Sequence, residues 1–135
     1  HYCHNFIRMN GKPVGPGYEL QLPFPAKFAN SAPAGWRLAD NQLSFTAPVA
    51  GPTGTPLTGV KPGETPNRFT IIDLTSGDQL LCEGSRPLSA FTVFADATIL
   101  CPEPFITISL APGEALKWDS SYRFLKPLNA PKDQP

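Results

Sequence analysis

The clearest two-residue alternation in the chain lies near its C-terminus, in the stretch PFITISLAPGE. Ile106, Ile108 and Leu110 fall on one face, Phe105, Thr107 and Ser109 on the other, and Pro112-Gly113 supplies a turn that ends the run. A period of two is the pleat of a strand with one buried face. The next stretch, EALKWDSSYRFL, keeps Leu116, Trp118, Tyr122 and Phe124 on one parity, so the two runs are expected to pair antiparallel across that turn. RFTIIDL, SAFTVF and ATILC are β-branched and aromatic stretches of strand length, and YELQLPF and QLSFTA read the same way. Residues 47–67, APVAGPTGTPLTGVKPGETPN, interrupt the pattern and are expected to form a long loop. Residues 1–125 read as one unit without repeats or heptads, and 126–135 as a flexible tail.

Proline sharpens this reading. Seventeen Pro and eleven Gly in 135 residues leave little room for helix, because an interior Pro costs a helix about 3 kcal/mol. Nine Phe show that there is still a core to build, and Trp36 and Trp118 are both expected in it. The fold class predicted is all-β, an antiparallel β-sandwich.

Charge removes several functions. Eleven basic residues balance eleven acidic ones, so no field draws in nucleic acid or an anionic membrane surface. No apolar run approaches the roughly 20 residues that cross a bilayer. Cys3, Cys82 and Cys101 are odd in number and lack C-x-x-C spacing, which favours reduced thiols and a cytoplasmic setting.

Two stretches carry usable chemistry. HYCHNFIRMNG holds the only two histidines, His1 and His4. Three apart on a strand, they point to opposite faces and cannot share one metal ion, and neither a third His nor a Cys pair completes a zinc set, so no metal is expected. CPEPFITISLAPGEALKW holds Glu103 between Pro102 and Pro104, which restrict the backbone that aims its carboxylate. No nucleophile elbow and no glycine-rich phosphate cradle occurs.

Together these stretches resemble a known family. YCHNFIRMNGKPVGPGYELQLPF is similar to a signature of the bacterial aldose 1-epimerases and their mutarotase-like relatives, a Tyr-x-His-Asn-Phe strand followed by a Gly turn, Gly-Pro-x-Tyr and Pro-Phe. CPEPFITISLAPGEALKWDSSYRF resembles the family's C-terminal end, where Pro-Glu-x-Phe leads through Leu-x-Pro-Gly-Glu to Trp and Tyr-x-Phe. Gly17 departs from the pattern, standing where relatives commonly carry Asp.

The resemblance implies the C-terminal portion of a longer mutarotase-like supersandwich with a carbohydrate groove on one sheet. It implies interconversion of α and β anomers by acid–base ring opening, without a cofactor. Glu103 would be the base and His4 the acid, facing each other across a saccharide cleft. Asn5 and His1 would be substrate contacts, and His1 an alternative to His4 in the groove. The partners implied are a monosaccharide and either the missing front half or a second copy of the chain. A non-catalytic carbohydrate-binding protein on the same sandwich is the alternative, and an incidental structural β-domain the third reading.

Overall fold

A computed structural model describes residues 1–127. Among these residues ten strands occur: β1 (Tyr18–Gln21), β2 (Lys27–Phe28), β3 (Trp36–Ala39), β4 (Gln42–Phe45), β5 (Thr53–Thr58), β6 (Arg68–Asp73), β7 (Gln79–Gly84), β8 (Ala90–Ala95), β9 (Leu100–Phe105) and β10 (Ser120–Leu125). They form an antiparallel six-stranded sheet in the order β10-β7-β6-β1-β4-β3 and a four-stranded sheet in the order β2-β5-β8-β9. The chain is all-β and sandwich-like, as its pattern predicts. No helix among the described residues is long and apolar enough to cross a membrane.

Register explains the core. Leu20 on β1 stands opposite both Leu43 on β4 and Ile71 on β6, and Ile71 stands opposite Leu80 on β7. These four form one row across the larger sheet and are at most 3% exposed. Leu57, Phe91, Val93, Ala95 and Leu100 of the smaller sheet join them in one cluster. Phe91 meets Phe24 and Phe69 edge-on, with ring centroids 5.9 and 5.6 Å apart. Each such fully buried side chain stabilises the fold by about 1.5–3 kcal/mol.

The sharply alternating stretch 106–110 is not a strand: β9 stops at Phe105, whose partner Ala90 is the first residue of β8. Alternation needs a neighbour to bond, and β8 offers none beyond that point. Pro112-Gly113 does turn, with Gly113 at φ 86° and Glu114 N–H bonded to Ala111 O, but it joins no hairpin. β10 pairs with β7 instead, Tyr122 opposite Cys82 and Phe124 opposite Leu80. Trp36 is buried as expected, whereas Trp118 is 37% exposed.

The 47–67 stretch contains β5, which Thr55 and Leu57 anchor by facing inward. Pro56 is tolerated because it turns towards β2, only two residues long, where its carbonyl accepts the Ala29 N–H. Lys126 and Pro127 follow β10 without regular structure, and the rest of the expected tail, 128–135, lies outside the described residues.

A turn sets where the N-terminal segment lies. Asn10 at φ 50° and Gly11 at φ 69° take consecutive left-handed conformations, closed by Lys12 N–H on Met9 O, the pattern of a type I′ turn. The buried Tyr18 hydroxyl holds it, accepting the Met9 N–H at 2.8 Å and donating to Lys12 O at 3.0 Å. Burial, opposed mainly by the bond to Met9, raises the Tyr18 pKa and keeps the phenol neutral. Asp73, at the end of β6, accepts from Lys12 Nζ at 2.8 Å and from Asn10 Nδ2 at 2.7 Å. The chain before residue 9 is thereby directed along the free edge of β9.

Candidate functional site

The first seven residues run antiparallel to β9, but only the two ends of the segment make ladder bonds. Ile7 and Leu100 exchange both N–H···O bonds, at 3.0 and 2.9 Å, and His1 O accepts the Ile106 N–H at 2.8 Å. Counting between these points sets Asn5 opposite Pro102, and residue 3 opposite Pro104, at positions where hydrogen bonds would continue. Proline has no N–H to give there. The ladder is interrupted, and the Pro102 carbonyl is satisfied by the Asn5 side-chain amide at 2.8 Å instead.

The same count puts Tyr2, His4 and Phe6 opposite Phe105, Glu103 and Cys101. These are the pairs between hydrogen-bonded positions, where facing side chains approach most closely. Tyr2 accordingly stacks on Phe105 at 4.5 Å, and His4 Nδ1 lies 2.7 Å from Glu103 Oε1. The expected acid and base therefore touch directly and do not face each other across a cleft. Pro-Glu-Pro does more than stiffen Glu103: it removes the backbone bonds that would have fixed the opposite segment and leaves Asn5 to hold it.

Glu103 is 9% exposed and the His4 side chain 49% exposed, so the imidazole covers the carboxylate and presents its own outer edge to solvent. At 2.7 Å from a carboxylate, Nδ1 carries a proton and donates it. Glu103 Oε2 and His4 Nε2 make no hydrogen bond among the described residues. Tyr2 and Phe6, 43% and 64% exposed, flank the pair, with His4 4.8 Å from the Tyr2 ring and 5.6 Å from the Phe6 ring. The result is a strip of aromatic rings above a buried carboxylate.

The other two predicted residues face elsewhere. Asn5 is buried, its amide on Pro102 O and its oxygen accepting the Tyr122 hydroxyl at 2.6 Å. His1 packs against Trp118, ring centroids 4.8 Å apart. Of the two histidines, His4 shares the surface with Glu103.

Sequence reasoning missed Tyr122 and Cys101. Burial first, and then neighbouring Cys3, pushes the Tyr122 phenol up to about 12, so it is a neutral donor that ties β10 to the N-terminal segment. Cys101 Sγ lies 3.7 Å from Glu103 Oε1 and 3.9 Å from His4 Nδ1. Burial, reinforced by the Glu103 charge, pushes its thiol up to about 12 as well. Its signal was present in the sequence, since residues 101 and 103 share one face of a strand.

No family model, curated protein or solved structure matches the chain.

Proposed function

We propose that the chain carries the acid–base site of an aldose 1-epimerase-type enzyme, within a mutarotase-like β-sandwich. The observation that supports it most is the 2.7 Å pair of His4 and Glu103, held by Pro102, Pro104 and Asn5. In an aldose the C1 hydroxyl oxygen and the ring oxygen are bonded to the same carbon. An acid and a base side by side, each with one atom that makes no hydrogen bond among the described residues, suit that geometry.

Glu103 Oε2 takes the proton of the C1 hydroxyl while His4, as imidazolium, gives its Nε2 proton to the ring oxygen. The C1–ring oxygen bond breaks as the C1 carbonyl forms, leaving a neutral carboxyl and a neutral imidazole. Rotation about C1–C2 and the reverse proton transfers close the other anomer and restore the pair. Each group contributes typically 10²–10⁴-fold. Nothing in this sequence of steps calls on a cofactor, and three free thiols suit a cytoplasmic protein.

The second reading, a non-catalytic carbohydrate-binding protein, is favoured by the exposed Tyr2 and Phe6 rings, which suit stacking on the C–H face of a pyranose. Following fresh α-D-glucose and α-D-galactose by polarimetry separates the two. An enzyme speeds the approach to anomeric equilibrium. An unchanged spontaneous rate, with sugar binding visible by NMR, would favour the binder.

A further inference from the structure

His4, Cys101 and Glu103 converge for reasons of register alone, and the acid–base reading uses only two of them. Cys101 is fully buried, Glu103 nearly so, and both belong to one face of β9. His4 is brought over them by the segment paired along that strand's edge. One donor atom from each lies within 4.8 Å of the other two. We propose that His4 Nδ1, Cys101 Sγ and Glu103 Oε1 form a three-donor site for a borderline divalent cation of the zinc class.

Bond lengths support the fit. A tetrahedral zinc centre with Zn–S of about 2.3 Å and Zn–N and Zn–O near 2.1 Å sets its sulfur about 3.6 Å from each lighter donor, and those donors about 3.4 Å apart. The sulfur separations here are 3.9 and 3.7 Å, already close to that geometry. The nitrogen–oxygen separation, 2.7 Å, is a hydrogen bond that must open by roughly 0.7 Å. His4, whose side chain is 49% exposed, is the donor that moves, while the two buried β9 donors stay in place. No lysine or arginine pairs with any of the three among the described residues, so no resident cation competes.

The donor set is mixed, one thiolate, one imidazole and one carboxylate, which suits zinc or cobalt(II) better than calcium or magnesium. Binding is a proton exchange without redox change. The cation displaces the Cys101 thiol proton and the proton on His4 Nδ1, and both pass to solvent. Affinity should therefore rise with pH. Because the metal takes the Nδ1 and Oε1 positions of the acid–base pair, it and the proton relay exclude each other, and the metal is an inhibitor of any activity the pair supports.

Cobalt(II) titration of the full chain tests the site with no sugar present. A thiolate-to-cobalt charge-transfer band should grow to one equivalent, form more tightly at about pH 8 than at about pH 6, and collapse on adding zinc. Cys101→Ser should abolish the band and Cys3→Ser should leave it intact. In the anomer assay, zinc should slow the native chain and leave Cys101→Ser unaffected. Absence of the band in the native chain, or a band lost with Cys3→Ser, overturns the site. The cobalt reading stands apart from catalysis: a band without anomer exchange refutes the proposed activity alone, and exchange without a band refutes the metal site alone.

Discussion

Replacing Asp73 by Asn tests how the N-terminal segment is anchored. The Asp73 side chain is 1% exposed and accepts from Lys12 Nζ, Asn10 Nδ2, and the Thr75 and Ser76 backbone N–H groups. Asparagine keeps one acceptor for Thr75 but turns an N–H₂ towards Lys12 and Asn10, so two bonds to a charged group are lost. Such bonds contribute about 1.5–3 kcal/mol each. Lys12, 38% exposed at its side chain, recovers water, which places the net loss near 3 kcal/mol. For a chain of this length that is a fall of about 10 °C in Tm.

Proton linkage gives the loss a signature. Burial alone would raise the Asp73 pKa, but the donors from Lys12, Asn10, Thr75 and Ser76 outweigh it and hold the carboxyl well below its usual range. The folded chain thus keeps this group ionised where the unfolded chain, near pKa 3.9, has already bound a proton. Its stabilisation is complete above about pH 5 and is lost as pH falls through the unfolded and then the folded value. Urea unfolding of both proteins at about pH 7 and about pH 3 should show the gap between them narrowing in acid. A gap below about 1 kcal/mol at neutral pH, or one that does not change with pH, would refute this reasoning.

Three further outcomes follow from single features. Gly59 sits at φ 110°, where an added Cβ would collide with the Pro25 carbonyl oxygen, so Gly59→Ala should lower stability by at least about 1 kcal/mol, read as an earlier urea midpoint. Tyr18→Phe strands the Met9 N–H beneath the Asn-Gly turn and should lower stability by about 1–3 kcal/mol with an unchanged urea slope. Cys3, partly exposed, should react first with a thiol reagent at neutral pH, while Cys82 and Cys101, buried and both pushed up to about 12, should wait for unfolding.

Strands whose inward positions alternate cleanly were legible in the sequence: β1, β4 and β6 lie within the stretches that the pattern marks, and β8 does so but for its last residue, Ala95. β7 was not, because QLLCEG buries three successive residues and shows no alternation. β5 was hidden by its proline and glycine, and the 106–110 stretch misled because periodicity names a face without naming a partner. The site was half legible. His4 and Glu103 stand out by residue type and by the flanking prolines, but what sets one opposite the other is hydrogen-bond register along β9. That register depends on Ile7 meeting Leu100, almost a hundred residues away in the chain.

The central claim is that the paired carboxylate and imidazole move protons on a sugar. Polarimetry of freshly dissolved α-D-glucose and α-D-galactose with native chain and Glu103→Gln, each confirmed folded by circular dichroism, tests it most directly. The account predicts acceleration by the native chain and a loss of about 10²–10⁴-fold in the variant. Equal acceleration by both proteins, or none by the native chain, would contradict it.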